Sequence, residues 1–189
     1  MSLLVLIPKR FEDSRGWFSE TWNDERFAEL GIRSSFCQDN QSLSKSKGTV
    51  RGLHFQAPPF AQAKLVRCLQ GRIFDVAVDI RRSSPTFGHW AGVELSAENA
   101  RQLFIPAGYA HGFVTLEDNC MIAYKVDAYY SGPHDGGVAW NDPAIGIDWP
   151  IDGAPVLSAK DEDLPYLTKL AADFPYDGVP LSEPSEVRL

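Results

Sequence analysis

Strict alternation of side-chain character between Phe74 and Ile80 is the feature that most constrains the fold. Four apolar positions alternate there with Asp75, Ala77 and Asp79, and a period of two is typical of a β-strand. Similar patterns, separated by turn-forming residues, predict further short strands at 3–7, 16–21, 36–42, 49–56, 63–70, 89–95, 101–105, 111–116 and 120–128. Many short strands with few helices indicate an all-β sandwich or barrel.

One helix is predicted within the strand-rich part of the chain, at residues 24–30. Asn23 is a suitable cap for its first turn, and Gly31 is a suitable stop. At 189 residues the chain has the length of one domain. After about residue 141 the sequence is rich in Asp and Pro and predicts loops with one or two helical turns. We therefore expect one domain over residues 1–170 and a tail over 171–189, loosely ordered from Phe174 onward.

The charge and the cysteines exclude several classes of protein. A formal charge of −7 argues against nucleic-acid binding and against an anionic membrane surface, although a few local cations suffice for an anionic small ligand. Three cysteines without metal or redox spacing favour a reducing compartment. The apolar run after Met1 lacks the features of a signal peptide and predicts a strand, and no apolar stretch has membrane-spanning length. A cytoplasmic protein is expected.

The segment from Arg51 to Gln56 is the strongest functional signal. It contains His54, and the strands that follow it carry Lys64, His111 and Tyr124. A histidine, cations and a phenol together suit proton transfer on a carbon acid next to a carbonyl group. The base removes a proton, a cation stabilises the oxyanion, and an acid returns a proton elsewhere.

Hairpin geometry predicts how these side chains meet. If the turn after the strand at 49–56 centres on Pro59, His54 lies opposite Lys64 in an antiparallel pair. A two-residue loop at 117–118 similarly places His111 opposite Tyr124. Arg51 and His54 are three residues apart and face opposite sides of a regular strand, so a bulge at Gly52 is needed to bring them together.

Each of these residues also has a structural interpretation. A single histidine is commonly a hydrogen-bonded structural residue, and Tyr124 suits a core position with a satisfied hydroxyl. Asp161, three residues after Ser158, resembles part of a helix capping box. A metal site is the weaker functional alternative, because the four histidines are widely separated, at His54, His89, His111 and His134. No metal is expected.

Ordered motifs along the chain carry a resemblance to a known family. They are Arg15-Gly16-Trp17-Phe18, Gln38-Asp39-Asn40, Arg51-Gly52-Leu53-His54-Phe55-Gln56, Lys64-Leu65-Val66-Arg67, Asp75-Val76-Ala77-Val78-Asp79, Ser84-Pro85-Thr86-Phe87-Gly88, Ile105-Pro106-Ala107-Gly108-Tyr109-Ala110-His111-Gly112-Phe113, Tyr124-Lys125 and Lys160-Asp161. From about residue 5 to 167 the chain resembles the dTDP-4-dehydrorhamnose 3,5-epimerases. The resemblance implies a cupin-type double-stranded β-helix, a jelly-roll sandwich without metal or other cofactor. It also implies a homodimer that exchanges N-terminal strands.

The resemblance implies catalytic roles for four residues. The substrate class is a dTDP-linked 4-keto-6-deoxyhexose, dTDP-4-dehydro-6-deoxy-D-glucose, whose C4 ketone acidifies the hydrogens at C3 and C5. His54 matches the general base, and Asp161 matches its partner in a dyad, which counts against the capping role. Lys64 matches the cation that stabilises the enolate. Tyr124 matches the acid that donates a proton to the opposite face.

Nine further positions match residues that contact the ligand in the family. Arg15 and Arg51 match diphosphate contacts, with Arg15 expected to reach the site of a neighbouring subunit. Asp135 stands where the family often has Glu, so its contact is the least secure of the set. The remaining matches are Glu20, Gln38, Asp39, Asn40, His111 and Lys160.

Three functions remain open at this point. The full set of His54, Asp161, Lys64 and Tyr124 favours inversion at both C3 and C5, which yields dTDP-4-dehydro-L-rhamnose in dTDP-L-rhamnose biosynthesis. Relatives on nearly the same scaffold invert one carbon only or move the keto group, so a single-site C3 or C5 epimerase is the first alternative. A catalytically idle sugar-nucleotide-binding module is the second.

Overall fold

A computed structural model describes residues 2–189. Over this range the chain forms thirteen strands and two short helices. The strands are β1 (Leu4–Ile7), β2 (Phe11–Asp13), β3 (Gly16–Phe18), β4 (Gln38–Ser44), β5 (Val50–Gln56), β6 (Lys64–Gln70), β7 (Arg72–Asp79), β8 (Trp90–Ser96), β9 (Gln102–Ile105), β10 (Tyr109–Thr115), β11 (Cys120–Val126), β12 (Asp135–Gly137) and β13 (Ser185–Arg188). The helices are α1 (Asp24–Glu29) and α2 (Ala159–Glu162), and single 3-10 turns occur at Gly132–His134 and Leu167–Lys169.

Eleven of the strands form two facing sheets. The six-stranded sheet has the order β13-β1-β9-β6-β11-β4, and the five-stranded sheet has the order β12-β5-β10-β7-β8. Their inner faces share a core that includes Val66, Leu103 and Ile122 from one sheet and Ile73 and Phe113 from the other. The predicted all-β, cupin-type sandwich with a few short helices is therefore confirmed.

The outer faces of both sheets are also covered. The segment after β12 packs Trp149, Leu167 and Phe174 against the outer side of the five-stranded sheet. Helix α1 packs Phe27 against the outer side of the six-stranded sheet. The side chain of Asn23 accepts a hydrogen bond from the Arg26 backbone N–H, so the predicted cap of α1 is confirmed.

The two ends of the chain meet at one sheet edge. β1 pairs antiparallel with β9 and parallel with β13, which joins Leu4 to Ser185 and Ile7 to Arg188. Phe174 is only 3% exposed. The segment expected to be a loosely ordered tail thus has partners at both of its ends, since Phe174 packs on the outer face of the five-stranded sheet and β13 pairs with β1.

The hairpin of β2 and β3 stands apart from the sandwich. In the described part of the chain these two strands pair only with each other, and all of their residues are exposed. Phe11, Trp17 and Phe18 are 53%, 58% and 68% exposed. Such a cluster of exposed aromatic side chains on a projecting hairpin is typical of a surface that another chain covers.

No helix within residues 2–189 is long and apolar enough to cross a membrane.

Candidate active site

Both predicted hairpin pairings are wrong, because each joins strands that belong to different sheets. β5 lies between β10 and β12, so His54 is opposite His111 and Gly137. β11 lies between β4 and β6, so Tyr124 is opposite Asn40 and Val66. The connection after β5 crosses from one sheet to the other and does not form a tight hairpin. The chosen residues still come together, because the two sheets face each other.

A β-bulge at Gly52 brings Arg51 and His54 to the same side of β5. In the ladder with β10, Phe113 is opposite Arg51 and His111 is opposite His54, so β5 has one extra residue between the pairs. Gly52 has a φ of 117°, and a Cβ atom there would lie 2.6 Å from the Gly112 Cα. Only glycine fits this close approach of two backbones. The predicted bulge is therefore confirmed.

A cavity of about 290 Å³ opens between the sheets at this position. Its lining comes from both sheets and from the start of α2, and it includes every residue expected to be catalytic. The lining residues are Ser42, Arg51, His54, Lys64, His111, Phe113, Tyr124, Ser158, Lys160 and Asp161. The concentration of titratable groups in one cleft marks this cavity as the candidate active site.

His54 and Asp161 form a closely hydrogen-bonded pair. The distance between His54 Nε2 and Asp161 Oδ1 is 2.6 Å, and the side chains are 31% and 5% exposed. Burial raises the pKa of Asp161, but the hydrogen bonds from His54 and Ser158 and the attraction of His54 and Lys160 together outweigh it, so the pKa lies below the usual value. An ionised Asp161 accepts the proton on Nε2, which leaves the lone pair of Nδ1 available to a substrate. This is the arrangement of a general base.

Asp161 also belongs to the cap of α2. Its backbone N–H donates to Ser158 Oγ over 3.2 Å, and Ser158 Oγ donates to Asp161 Oδ2 over 2.9 Å. The two interpretations of this residue made from the sequence are therefore compatible. One carboxylate oxygen holds the histidine while the other is held by the capping serine.

Lys64 contributes a buried ammonium from the opposite sheet. Its Nζ donates to the His54 backbone carbonyl over 3.3 Å, and the residue is 8% exposed. Burial lowers the pKa of Lys64 to about 8, against the opposing attraction of Asp75 and Asp135. At neutral pH the side chain is therefore a cation that is poorly hydrated, which strengthens its interaction with a developing oxyanion.

Tyr124 faces the same cavity from β11. Burial raises the pKa of its phenol above the usual value, although the nearby Arg51 acts in the opposite direction. The phenol is therefore neutral at physiological pH and retains a proton to donate. Because Tyr124 and His54 lie on different sheets, they approach a molecule bound between the sheets from different sides.

His111 forms a second histidine–carboxylate pair that was not expected from the sequence. Its Nε2 lies 2.7 Å from Asp75 Oδ1, and both residues are buried. Burial lowers the pKa of His111, and the attraction of Asp75 opposes that effect. Asp75 was missed as a site residue. The available signal was its place in the alternating strand β7, on the face that carries Ala77 and points between the sheets.

Several expected ligand contacts lie around the cavity. Arg51 is held by Ser44 Oγ and the Leu43 carbonyl, at 3.0 and 3.1 Å. Lys160 Nζ lies 2.6 Å from Asp135 Oδ2. In β4, Gln38 Nε2 donates to Asn40 Oδ1 over 2.9 Å, and Asn40 shares the face of its partner Tyr124.

Three expected ligand contacts do not join this cavity within the chain. Arg15, at the turn of the exposed hairpin, pairs with Asp13 over 2.6 Å, and its side chain is 88% exposed. Glu20 pairs with Arg26, with 3.3 Å between Glu20 Oε1 and Arg26 Nη1. Asp39 points to the outer face of the six-stranded sheet, where it accepts two 3.0 Å hydrogen bonds from Lys125. Successive side chains along β4 point to opposite faces of the sheet, so Asp39 faces away from Gln38 and Asn40.

The chain is similar to proteins of one family over nearly its whole length. A family model described as dTDP-4-dehydrorhamnose 3,5-epimerase matches residues 1–169. An enzyme of that name from Salmonella typhimurium is 57% identical over 166 residues, which cover 87% of this chain and 90% of the relative.

Two solved structures share the fold closely. The dTDP-4-dehydrorhamnose 3,5-epimerase of Bacillus anthracis, with TDP and PPi bound, is 51% identical with a TM-score of 0.85, covering 87% of this chain and 93% of that one. The dTDP-6-deoxy-D-glucose-3,5-epimerase of Legionella pneumophila, in complex with dTDP-4-keto-L-rhamnose, is 44% identical with a TM-score of 0.87, covering 92% and 94%.

Proposed function

The chain belongs to the dTDP-4-dehydrorhamnose 3,5-epimerase family, and we propose that it inverts C3 and C5 of dTDP-4-dehydro-6-deoxy-D-glucose. The product is dTDP-4-dehydro-L-rhamnose, an intermediate of dTDP-L-rhamnose biosynthesis. One observation carries the proposal. The His54–Asp161 pair on one side of the cavity faces Lys64 and Tyr124 on the other.

The reaction begins with proton removal next to the ketone. Nδ1 of His54 takes the hydrogen of C3 or C5 as a proton, and the electron pair of that C–H bond moves toward the C4 oxygen to form an enolate. Asp161 stabilises the resulting imidazolium. The Lys64 ammonium stabilises the negative charge on the oxygen, an effect on the order of 3–4 kcal/mol for one well-placed donor.

Inversion is completed when a proton arrives from the other face of the ring. The Tyr124 hydroxyl donates its proton to the carbanionic carbon, and the C4 ketone re-forms. Solvent then takes the proton from His54 and returns one to the Tyr124 phenolate, so each inversion leaves the enzyme unchanged. The same sequence at the second carbon gives the doubly inverted product.

The proposed ligand contacts divide between the chain and a partner. Arg51 and Lys160 lie beside the cavity and supply cations for the diphosphate, with His111 and Asn40 nearby for polar contacts. Arg15 lies on the exposed hairpin, outside the chain's own cavity. We propose a homodimer in which this N-terminal hairpin, with Phe11, Trp17 and Phe18, reaches across to the other subunit. β1 itself pairs within its own chain, so the proposed exchange is confined to the hairpin.

The unpaired state of Cys37, Cys68 and Cys120 fits a reducing compartment. We therefore propose that the enzyme works in the cytoplasm. No step of the proposed reaction calls for a metal or another cofactor, because the ketone itself acidifies the hydrogens.

Isotope exchange in heavy water tests the proposed reaction. Incubation with dTDP-4-dehydro-6-deoxy-D-glucose should place deuterium at both C3 and C5, as measured by NMR of the sugar. The His54→Ala variant should lose exchange at both carbons, because both depend on the same base. The variant His89→Ala, whose histidine lies outside the cavity lining, is the matched control and should retain exchange.

The other outcomes distinguish the alternatives. Deuterium at one carbon only would replace the proposal with a single-site epimerase. Binding of the nucleotide sugar without incorporation at either carbon would indicate the idle binding module. Full exchange by the His54→Ala variant would refute the role of His54 as the base.

A further inference from the structure

Ser158 makes two reciprocal contacts with the carboxylate partner of the proposed base. Its Oγ donates to Asp161 Oδ2 over 2.9 Å and accepts from the Asp161 backbone N–H over 3.2 Å. The other oxygen of the same carboxylate, Oδ1, lies 2.6 Å from His54 Nε2. Each oxygen of Asp161 therefore has a separate partner, and rotation of the carboxylate about its Cβ–Cγ bond would break both contacts.

The second histidine–carboxylate pair provides an internal comparison. Asp75 Oδ1 lies 2.7 Å from His111 Nε2, but its buried Oδ2 has no hydrogen-bond partner among the described residues. The two pairs thus have similar histidine contacts and differ in the second oxygen. Among the described residues, a hydroxyl donates a hydrogen bond to the second carboxylate oxygen only in the His54–Asp161 pair.

Burial makes this hydroxyl important for the carboxylate. The Asp161 side chain is 5% exposed, so water has little access to it. Its pKa is lowered against burial by His54 and by the hydrogen bond from Ser158. Without Ser158, Oδ2 would lose a donor that a buried carboxylate needs in order to remain ionised in one orientation.

We propose that Ser158 is a positioning residue, which fixes the Asp161 carboxylate so that Nδ1 of His54 points at the substrate. Ser158 acts through Asp161 and takes no part in proton transfer. This inference rests on the proposed function, since it assigns a role within the same base. The family resemblance assigned no role to Ser158, and the local sequence pattern indicated only a capping role.

A pair of variants separates the hydroxyl from the cap. Glycine is well tolerated at a helix N-cap, so Ser158→Gly removes the donor while the start of α2 is largely retained. Ser158→Thr keeps both the hydroxyl and the cap. Each variant is assayed for deuterium incorporation from heavy water into dTDP-4-dehydro-6-deoxy-D-glucose, with kcat and KM determined separately. Proton NMR follows the downfield signal of the hydrogen between His54 and Asp161, assigned by its loss in His54→Ala.

In Ser158→Gly we expect kcat for exchange at both carbons to fall about 10- to 100-fold, the size of one lost hydrogen bond to a charged group. KM should change less than about twofold, because Ser158 is not assigned to substrate binding. The downfield signal should broaden or vanish. Ser158→Thr should match the parent in all three measurements.

Three results would overturn the proposal. They are a Ser158→Gly variant with parental kcat, an equal loss of kcat in Ser158→Thr, and a loss of kcat in Ser158→Gly while the downfield signal is unchanged. If the parent itself shows no exchange, the proposed function fails independently. The NMR comparison then decides alone: broadening in Ser158→Gly but not in Ser158→Thr supports the positioning role, and an unchanged signal in Ser158→Gly refutes it.

Discussion

Replacing Lys64 with methionine should make the protein more stable at neutral pH and far less active. The ammonium of Lys64 lies in a cavity between two sheets and has one hydrogen bond among residues 2–189, to the His54 carbonyl. Burial holds its pKa at about 8, below the ordinary 10.5. A lowered pKa means that the folded protein bears a cost for keeping this group charged. Methionine has a similar length and removes that cost.

The stability advantage of Lys64→Met over the parent should be largest near neutral pH and should shrink as the pH rises. At pH 7 the group is charged in both the folded and the unfolded states, and the cost to the folded state is about 3 kcal/mol. Between pH 8 and 10.5 the unfolded chain retains a proton that the folded protein has released, so the stability of the parent rises with pH. At pH 9.5 the remaining cost is about 1 kcal/mol. The stability advantage of Lys64→Met should therefore shrink by about 2 kcal/mol from pH 7 to pH 9.5.

Urea denaturation of the parent and of Lys64→Met at the two pH values measures this change. Comparing the two proteins at each pH cancels the contributions of other groups, such as Cys68, whose thiol has an ordinary pKa of 9.0 in the unfolded chain and a pKa raised by burial to about 12 in the folded protein. It also cancels any difference in how methionine packs. In the activity assay kcat of the variant should fall by about 10²–10³, since one oxyanion donor is lost. A stability difference that is the same at pH 7 and pH 9.5 would refute a lowered pKa for Lys64.

Two further predictions concern the acid and the bulge. Tyr124→Phe should reduce net inversion more than the initial loss of substrate hydrogen, because His54 still removes the proton. Equal losses of both, measured by NMR in heavy water, would argue against Tyr124 as the acid. Gly52→Ala should lower the free energy of unfolding by about 1–3 kcal/mol because φ is positive there. It should lower it by a similar amount again because the new Cβ atom would overlap the Gly112 backbone. Gly48→Ala is the control, because Gly48 has a φ of 75° and open space around it. In urea denaturation its free energy of unfolding should fall only by the amount due to the positive φ.

Local sequence patterns predicted the fold class well. Alternation in β7 and the turn residues between strands were sufficient for an all-β sandwich, and Asn23 and Gly31 bounded α1. The same alternation did not show that both faces of β7 are buried. Val76 and Val78 lie under the segment after β12, far along the chain, and no short window of sequence contains that information.

Pairing between strands was the part that could not be predicted. A hairpin is the simplest connection between neighbouring strands, so β5 was paired with β6 and β10 with β11. In this sandwich the chain instead crosses from one sheet to the other after β5 and after β10. Whether a connection forms a hairpin or crosses between sheets depends on the packing of the whole core. The residues chosen for the site were nevertheless close together, because side chains that face the gap from different sheets also meet. Asp75 was missed because its partner His111 is on a strand 36 residues away.

The gap between the two sheets sets the spacing of the proposed base and acid. His54 is carried by β5 and Tyr124 by β11, and these strands share no backbone hydrogen bonds. The distance between them is maintained by interior side chains of the two sheets, such as Ile73 and Ile122, which pack in the shared core. Adding or removing one methylene in these core side chains would change the width of the cavity between the sheets, where we propose that the hexose binds. Stereochemical outcome in this scaffold is thus open to adjustment from residues that never touch the sugar.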